Sequence, residues 1–213
     1  MTTELERRLR EGLAGLGLSL SDVQVSQLLA YQGLIAKWNQ VYNLTAVRDP
    51  QEMLTHHLLD SLAVVLPLRQ QLAGRTTLLD VGSGAGLPGV VLAITSPDLA
   101  VTCVDTVAKK AAFIQQAAVS LGLPHLKGLH ARVETLSGPY DVISSRAFSS
   151  LPDFVKGSRQ ALAPQGVWMA MKGKLPQAEI DALPADVQVF HVEPLRVPGL
   201  DAERCMVWLR PRA

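Results

Sequence analysis

The chain has 213 residues, 48% hydrophobic and 18% charged, with a formal net charge of +1, enough to bury one large globular core with room for an added subdomain. No apolar run approaches the ~20 residues of a membrane span, and residues 1–10 interleave acids with arginines where a signal peptide would be apolar. Two cysteines make no disulfide framework, so Cys103 and Cys205, each inside an apolar strand-like run, read as buried thiols of a reducing, cytoplasmic compartment.

The first 72 residues read as helices. Leu5, Leu9 and Leu13 recur at every fourth position, and Gly15 and Gly17 stop that helix. Ser21 caps a longer one, with Val25, Leu28, Tyr31, Leu34, Ile35, Trp38, Val41 and Tyr42 along one face. Trp38 and Tyr42 could stack on a base, although that spacing usually marks core. A third helix starts at Asp49-Pro50-Gln51-Glu52, with Asp49 as N-cap, Pro50 in the first turn and Glu52 closing a capping box. His56 and His57 are neighbours on it, ~100° apart, so they cannot chelate a metal as an i, i+4 pair would. One of them is expected to be packed or hydrogen-bonded there, and no metal is expected.

From residue 73 onward, strands alternate with helices. Strands are predicted over 76–81, 100–105, 126–130, 140–145, 166–172, 187–192 and 205–210, and helices over 88–95, 107–121, 152–162 and 176–182. The pattern implies an α/β fold with a doubly wound, mostly parallel seven-stranded sheet. The last two strands have no helix between them and should form a hairpin-like pair with one strand antiparallel.

The chemistry-bearing stretch is Leu78-Leu79-Asp80-Val81-Gly82-Ser83-Gly84-Ala85-Gly86-Leu87-Pro88-Gly89. A buried strand runs into a glycine loop and then a helix start, and ligands of such sheets bind beyond the carboxyl ends of the strands. Leu87 stands where the dinucleotide fingerprint G-x-G-x-x-G requires its last glycine, which argues against a nicotinamide site. The acid-x-Gly-x-Gly-x-Gly turn instead resembles the cofactor loop of class I S-adenosyl-L-methionine methyltransferases. Asp105 ends the second strand 25 residues after Asp80. It could accept from both ribose hydroxyls of an adenosine, or cap the following helix. Arg132-Val133-Glu134 follows the third strand, where a carboxylate or backbone group could meet the adenine edge, or form a surface ion pair.

The fourth strand ends in Ser144-Ser145-Arg146-Ala147-Phe148. The Asn/Asp-Pro-Pro-aromatic tetrad of amine methylation is absent there, and neither cysteine lies at the end of strand four or five to act as a nucleophile on a pyrimidine. Arg146, Lys172 after strand five, and Arg204 before strand seven remain. Cationic donors suit an acceptor with a free lone pair, such as guanine N7, which needs no base before attack and rewards in-line positioning. The charge distribution permits a basic rim: residues 1–99 hold 7 basic against 9 acidic side chains, residues 100–213 hold 13 against 10.

From about residue 37 onward, these motifs resemble the RsmG (GidB) family of bacterial 16S rRNA guanine-N7 methyltransferases. The resemblance is carried by Lys37-Trp38-Asn39, Asn43-Leu44-Thr45-Ala46, His57-Leu58-Leu59-Asp60-Ser61-Leu62, the loop from Asp80 to Gly89, and Asp105 with Lys109-Lys110. It continues in Arg132-Val133-Glu134, Ser145-Arg146-Ala147-Phe148, Met171-Lys172-Gly173 and Glu203-Arg204. Cys205 departs from it, since the family usually has His after the arginine. The resemblance implies a class I methyltransferase domain over 73–213, and the helical subdomain over 1–72 before it rests, for residues 1–36, on the helix reading alone. The resemblance also implies methylation of N7 of guanine 527 in 16S rRNA or a small-subunit intermediate; the sequence leaves the oligomeric state open, and a monomer is expected. The resemblance places S-adenosyl-L-methionine on Gly82, Ser83, Gly84, Leu87, Asp105, Val133, Glu134 and Arg146. Arg146 and Lys172 would serve catalysis, and Arg132, Lys172 and Arg204 would hold RNA.

Overall fold

A computed structural model describes residues 3–72, 74, 76–148 and 150–212. Helix α1 (Glu4–Gly15) starts on Thr3, whose hydroxyl accepts from the Glu6 N–H. Helix α2 (Asp22–Tyr42) starts on a complete capping box between Ser21 and Gln24, which satisfies two backbone donors reciprocally. The box expected at Asp49 is half formed. The Asp49 carboxylate accepts from the Gln51 and Glu52 N–H groups, and the reciprocal arrangement lies one helix earlier, at Ser21.

The helix expected from Pro50 changes pitch twice. Helix α3 (Pro50–Met53) widens into a π-helical turn (Leu54–Leu59), then tightens into α4 (Asp60–Leu62), with α5 (Val65–Leu72) following. Such a widened turn redirects side chains and often marks a functional site. Residue 73, the first of the expected second unit, lies outside the described residues.

Strand β1 (Thr77–Val81), α6 (Gly89–Thr95), β2 (Ala100–Asp105), α7 (Ala108–Ser120), β3 (Leu126–His130) and β4 (Tyr140–Arg146) follow the expected alternation. Helix α8 (Leu151–Ser158) ends before residue 162, and β5 (Leu162–Lys172) starts earlier than expected. A 3-10 turn (Arg159–Ala161) carries the helical stretch on to β5, and Pro164 accounts for the early start of β5, because the residue preceding a proline favours extended backbone. Helix α9 (Gln177–Asp181), β6 (Val187–Pro194) and β7 (Cys205–Pro211) complete the described elements.

The seven strands form one sheet in the order β3-β2-β1-β4-β5-β7-β6, and β7 alone is reversed relative to the others. Side chains alternate between two cores, as the period of a strand dictates. Leu78, Val142, Met169 and Trp208 face the core shared with α1, α2, α6 and α7, while Leu79, Ile143, Trp168 and Val207 face the core under α8. The N-terminal helices thus bury Leu9, Leu28 and Leu58 in the same core as Leu92 and Phe113 of the sheet-covering helices. Both cysteines are free and buried. Among the described residues, no helix is long and apolar enough to cross a membrane.

Candidate active site

Sheet order reverses between β1 and β4, and a cleft of about 800 Å³ opens there at the strand ends. Its walls come from four successive strand ends: Val81-Gly82, Val104 to Val107, Ala131 to Glu134, and Arg146 to Phe148. That volume suits a small-molecule ligand. A smaller pocket of about 360 Å³ adjoins it, lined by His56, Asp60, Met171, Lys172 and Arg204. Arg146 and Ala147 line both, so they form the wall between the two. Ala147 has φ +57°, a left-handed conformation that costs an L-residue about 1–2 kcal/mol. Such stored strain is typical of functional turns.

The glycine loop is held from beneath. Val104 O accepts from the N–H groups of Gly82 (2.9 Å) and Ser83 (3.2 Å), and Asp105 Oδ2 accepts from the Gly84 N–H (3.0 Å). Gly82 has φ +63°, and the nearest atom to an added Cβ would be Phe148 at 3.5 Å. At Gly89, by contrast, a Cβ would lie 2.3 Å from Cys103 Sγ, so that glycine lets α6 sit close on β2. Asp80 underlies the loop, fully buried. Its carboxylate accepts from Ser144 Oγ (2.8 Å) and the Gly89 N–H (3.0 Å), while burial pushes its pKa up to about 6.

Asp105 lines the cleft and ties down the chain just before α7, whose own N-cap is Val107, and Lys110 Nζ lies 3.9 Å from its Oδ2. Oδ1 accepts from the Val107 N–H (2.9 Å) at the start of α7, and each carboxylate oxygen keeps a second lone pair at the cleft. Val133 and Glu134 also line the cleft. Ser83 and Leu87 are buried and do not: the Ser83 hydroxyl donates to Val104 O, and Leu87 packs in the core. Arg132 lines the larger cleft, with Nε 3.7 Å from Glu134, so it does not join Lys172 and Arg204.

Lys172 and Arg204 do converge with Arg146, on two carboxylates that the sequence reading left without a role. Arg146 Nη1 donates to Asp60 Oδ2 (3.0 Å) and to the His56 carbonyl (3.0 Å), and Arg204 Nε donates to Asp60 Oδ1 (2.8 Å). Asp60 is 3% exposed, so one buried carboxylate orients two guanidinium groups. Lys172 Nζ donates to Glu179 Oε2 (2.8 Å), which also accepts from the Leu151 N–H (2.7 Å) opening α8. The available signal for Asp60 was an acid inside the apolar run Leu58-Leu59-Asp60-Ser61-Leu62-Ala63-Val64-Val65.

His57 is the packed histidine of the pair. Its Nε2 meets Thr45 Oγ1 at 2.8 Å and burial lowers its pKa. Trp38 packs edge-on against Phe113, whereas Tyr42 is 40% exposed. Cys205 opens β7, the last strand, as expected, and pairs in register with Lys172, so in space it stands beside the end of β5. Burial raises its thiol pKa, the opposite of what a nucleophile needs.

A family model described as rRNA small subunit methyltransferase G, GidB, matches residues 24–207. The chain belongs to this family. The match begins within α2, well before the first motif that carried the resemblance. The ribosomal RNA small subunit methyltransferase G of Acidovorax ebreus (strain TPSY) is 67% identical over 220 residues, covering 99% of this chain and 97% of its own. That of Polaromonas naphthalenivorans (strain CJ2) is 66% identical over 212 residues, covering 97% and 96%. Residues 1–36 are therefore part of what the relatives share. Among solved structures, the mitomycin 7-O-methyltransferase MmcR matches with a TM-score of 0.61 at 16% identity, over 97% of this chain and 67% of its own. TrmN from Thermus thermophilus matches with a TM-score of 0.56 at 20% identity, over 74% of this chain and 53% of its own. These likenesses show the class I methyltransferase fold.

Proposed function

We propose that the protein transfers the methyl group of S-adenosyl-L-methionine to N7 of guanine 527 of bacterial 16S rRNA, acting as a monomer on the RNA or on a small-subunit intermediate. In this reading residues 1–72 are a helical subdomain and 73–213 the methyltransferase domain. The observation that carries it is the shared wall: Arg146 reaches both the larger cleft and the cation-lined pocket beside it. Family membership supplies the class of reaction and substrate.

The cleft residues fit the cofactor. Gly82, with no Cβ, leaves the loop face open, and Asp105 and Glu134 offer carboxylates where ribose and adenine donors would lie. Ser83, Gly84 and Leu87 shape the loop from within, and Val133 lines the adenine side. When bound, the cofactor supplies an electrophilic methyl carbon on a sulfonium centre.

Guanine N7 carries no proton, so the protein's task is to orient the base. The planar fork of Arg146 can hold guanine O6, while Lys172, Arg204 and, further along, Arg132 meet phosphates. The base becomes cationic as the methyl arrives, which a bare cluster of cations would oppose. Asp60 and Glu179 offset that charge while fixing the three side chains in place.

The test is to incubate unmethylated 16S rRNA, and separately small-subunit particles, with the protein and S-adenosyl-L-methionine, and to locate the methyl group by mass spectrometry. A methyl on guanine 527 N7 is expected, at a single-turnover rate flat between about pH 6 and 9 because no base titrates in the step. A methyl on an exocyclic amine would overturn the reading.

A further inference from the structure

Helix α2 carries three side chains on one face that each donate a hydrogen bond to a backbone carbonyl of the sheet-covering layer. Gln24 Nε2 donates to Ile94 O (2.9 Å) near the end of α6, and Gln27 Nε2 to Leu121 O (2.8 Å) just past α7. Carbonyls at helix C-termini lack intrahelical partners, so these two contacts are ordinary capping. The third differs. Tyr31 Oη donates to Ala85 O at 2.5 Å, within the glycine loop and not at a helix end.

Tyr31 is fully buried and stacks on Phe113 of α7, with ring centroids 6.3 Å apart, so the ring cannot swing away from the loop. The peptide group it holds is held at both ends: the Ala85 carbonyl by Tyr31, and the Gly86 N–H by Ser83 O at 2.7 Å. That peptide sits between Gly84, tied to Asp105, and Leu87, whose N–H also donates to Ser83 O (3.0 Å). Beneath the loop, β2 ties Gly82, Ser83 and Gly84 and β1 ties Gly89, while the Val90 N–H of α6 donates to Gly86 O (2.7 Å). Without Tyr31, the Ala85 carbonyl would be a buried acceptor with no partner, and the cheapest relief is rotation of that peptide.

We propose that Tyr31 is a positioning residue for the cofactor loop: the N-terminal helix uses its hydroxyl to lock the Ala85–Gly86 peptide and so keeps the loop in its receptive shape. This rests on the reading of the larger cleft as the S-adenosyl-L-methionine site, and gives the first helices a role in methyl-donor binding besides completing the core.

The test compares Tyr31→Phe, which removes one oxygen, with Gln27→Ala, which removes an α2-to-carbonyl bond away from the loop. S-adenosyl-L-homocysteine is titrated calorimetrically into each intact protein. Tyr31→Phe should weaken binding about tenfold and raise the KM for S-adenosyl-L-methionine similarly, with kcat at saturating donor within about twofold. Gln27→Ala should leave Kd and KM unchanged. In hydrogen exchange, the Gly86 amide of Tyr31→Phe should lose protection while β1 amides keep theirs, which also establishes that the variant is folded. Wild-type protein that binds no S-adenosyl-L-homocysteine would overturn the cofactor reading and this proposal with it. Binding by the wild type that Tyr31→Phe leaves unchanged, or that Gln27→Ala weakens equally, would overturn the proposal alone.

Discussion

Two residues at the glycine loop make the sharpest single-site predictions. Gly82 has φ +63° and faces the cleft, so Gly82→Ala puts a methyl group on the ligand side and places an L-residue in the left-handed region. We expect a stability loss of about 1–2 kcal/mol and a loss of S-adenosyl-L-methionine affinity beyond detection by calorimetry, in a protein that still folds. Asp80 predicts a pH dependence. Its carboxyl titrates at about 6 in the fold, because burial disfavours the charge more than the Ser144 and Gly89 hydrogen bonds favour it. Between about pH 4 and pH 6 the folded protein holds a proton that the unfolded chain has released, so Asp80 makes stability fall as pH rises through that window and stay level above it. The fall is on the order of 3 kcal/mol. Asp80→Asn keeps an acceptor for Gly89 and a partner for Ser144, and should lack this fall. Urea unfolding of both proteins from pH 4 to 7 reads it as a difference, which cancels His57 and its opposite dependence. Gly82 and the loop were legible in the sequence, because spaced glycines after a buried strand state their own backbone requirement. Asp60 was not, since its partners Arg146 and Arg204 lie 86 and 144 positions away.

At the scale of elements, strand β4 and the turn after it decide how the two pockets communicate. Arg146 ends β4, and the left-handed Ala147 turns the chain so that Phe148 can close over Gly82. Arg146→Ala should lower the single-turnover methyl-transfer rate by at least about tenfold, and Arg146→Lys should restore little of it, because a point charge cannot reach Asp60, the His56 carbonyl and a base edge together. An Arg146→Ala enzyme of normal rate would remove the shared wall from the mechanism. The elements themselves were largely legible, since each strand is a local apolar run bounded by turn residues. The exceptions have local causes that propensity alone does not rank: Pro164 drew residues 162–163 into β5, and the π-helical turn between Leu54 and Leu59 aims Asp60 at two arginines from outside its own helix.

For the whole molecule, a net charge of +1 leaves little long-range attraction for RNA, and the proposed function assigns that attraction to the cations at the strand ends. Lys172→Ala should reduce the slope of log binding constant against log salt by about one phosphate contact, ~0.7–0.9. Filter binding of 16S rRNA at several salt concentrations measures it, and an unchanged slope would place Lys172 off the RNA path. Lys172 is the cleaner choice for this test than Arg204, which also shares Asp60.

The sheet also carries a history in its strand order. Strand β7, last in the chain, lies between β5 and β6, which are made before it. The larger cleft is lined from the ends of β1 to β4 and the segments just after them, whereas β6, among the described residues, pairs with β7 alone. Arg204 immediately precedes that strand, and Lys172 pairs in register with its first residue. The smaller pocket therefore depends on the docking of the last strand, through Arg204 and the partner it gives Lys172, whereas every lining residue of the larger cleft precedes β5.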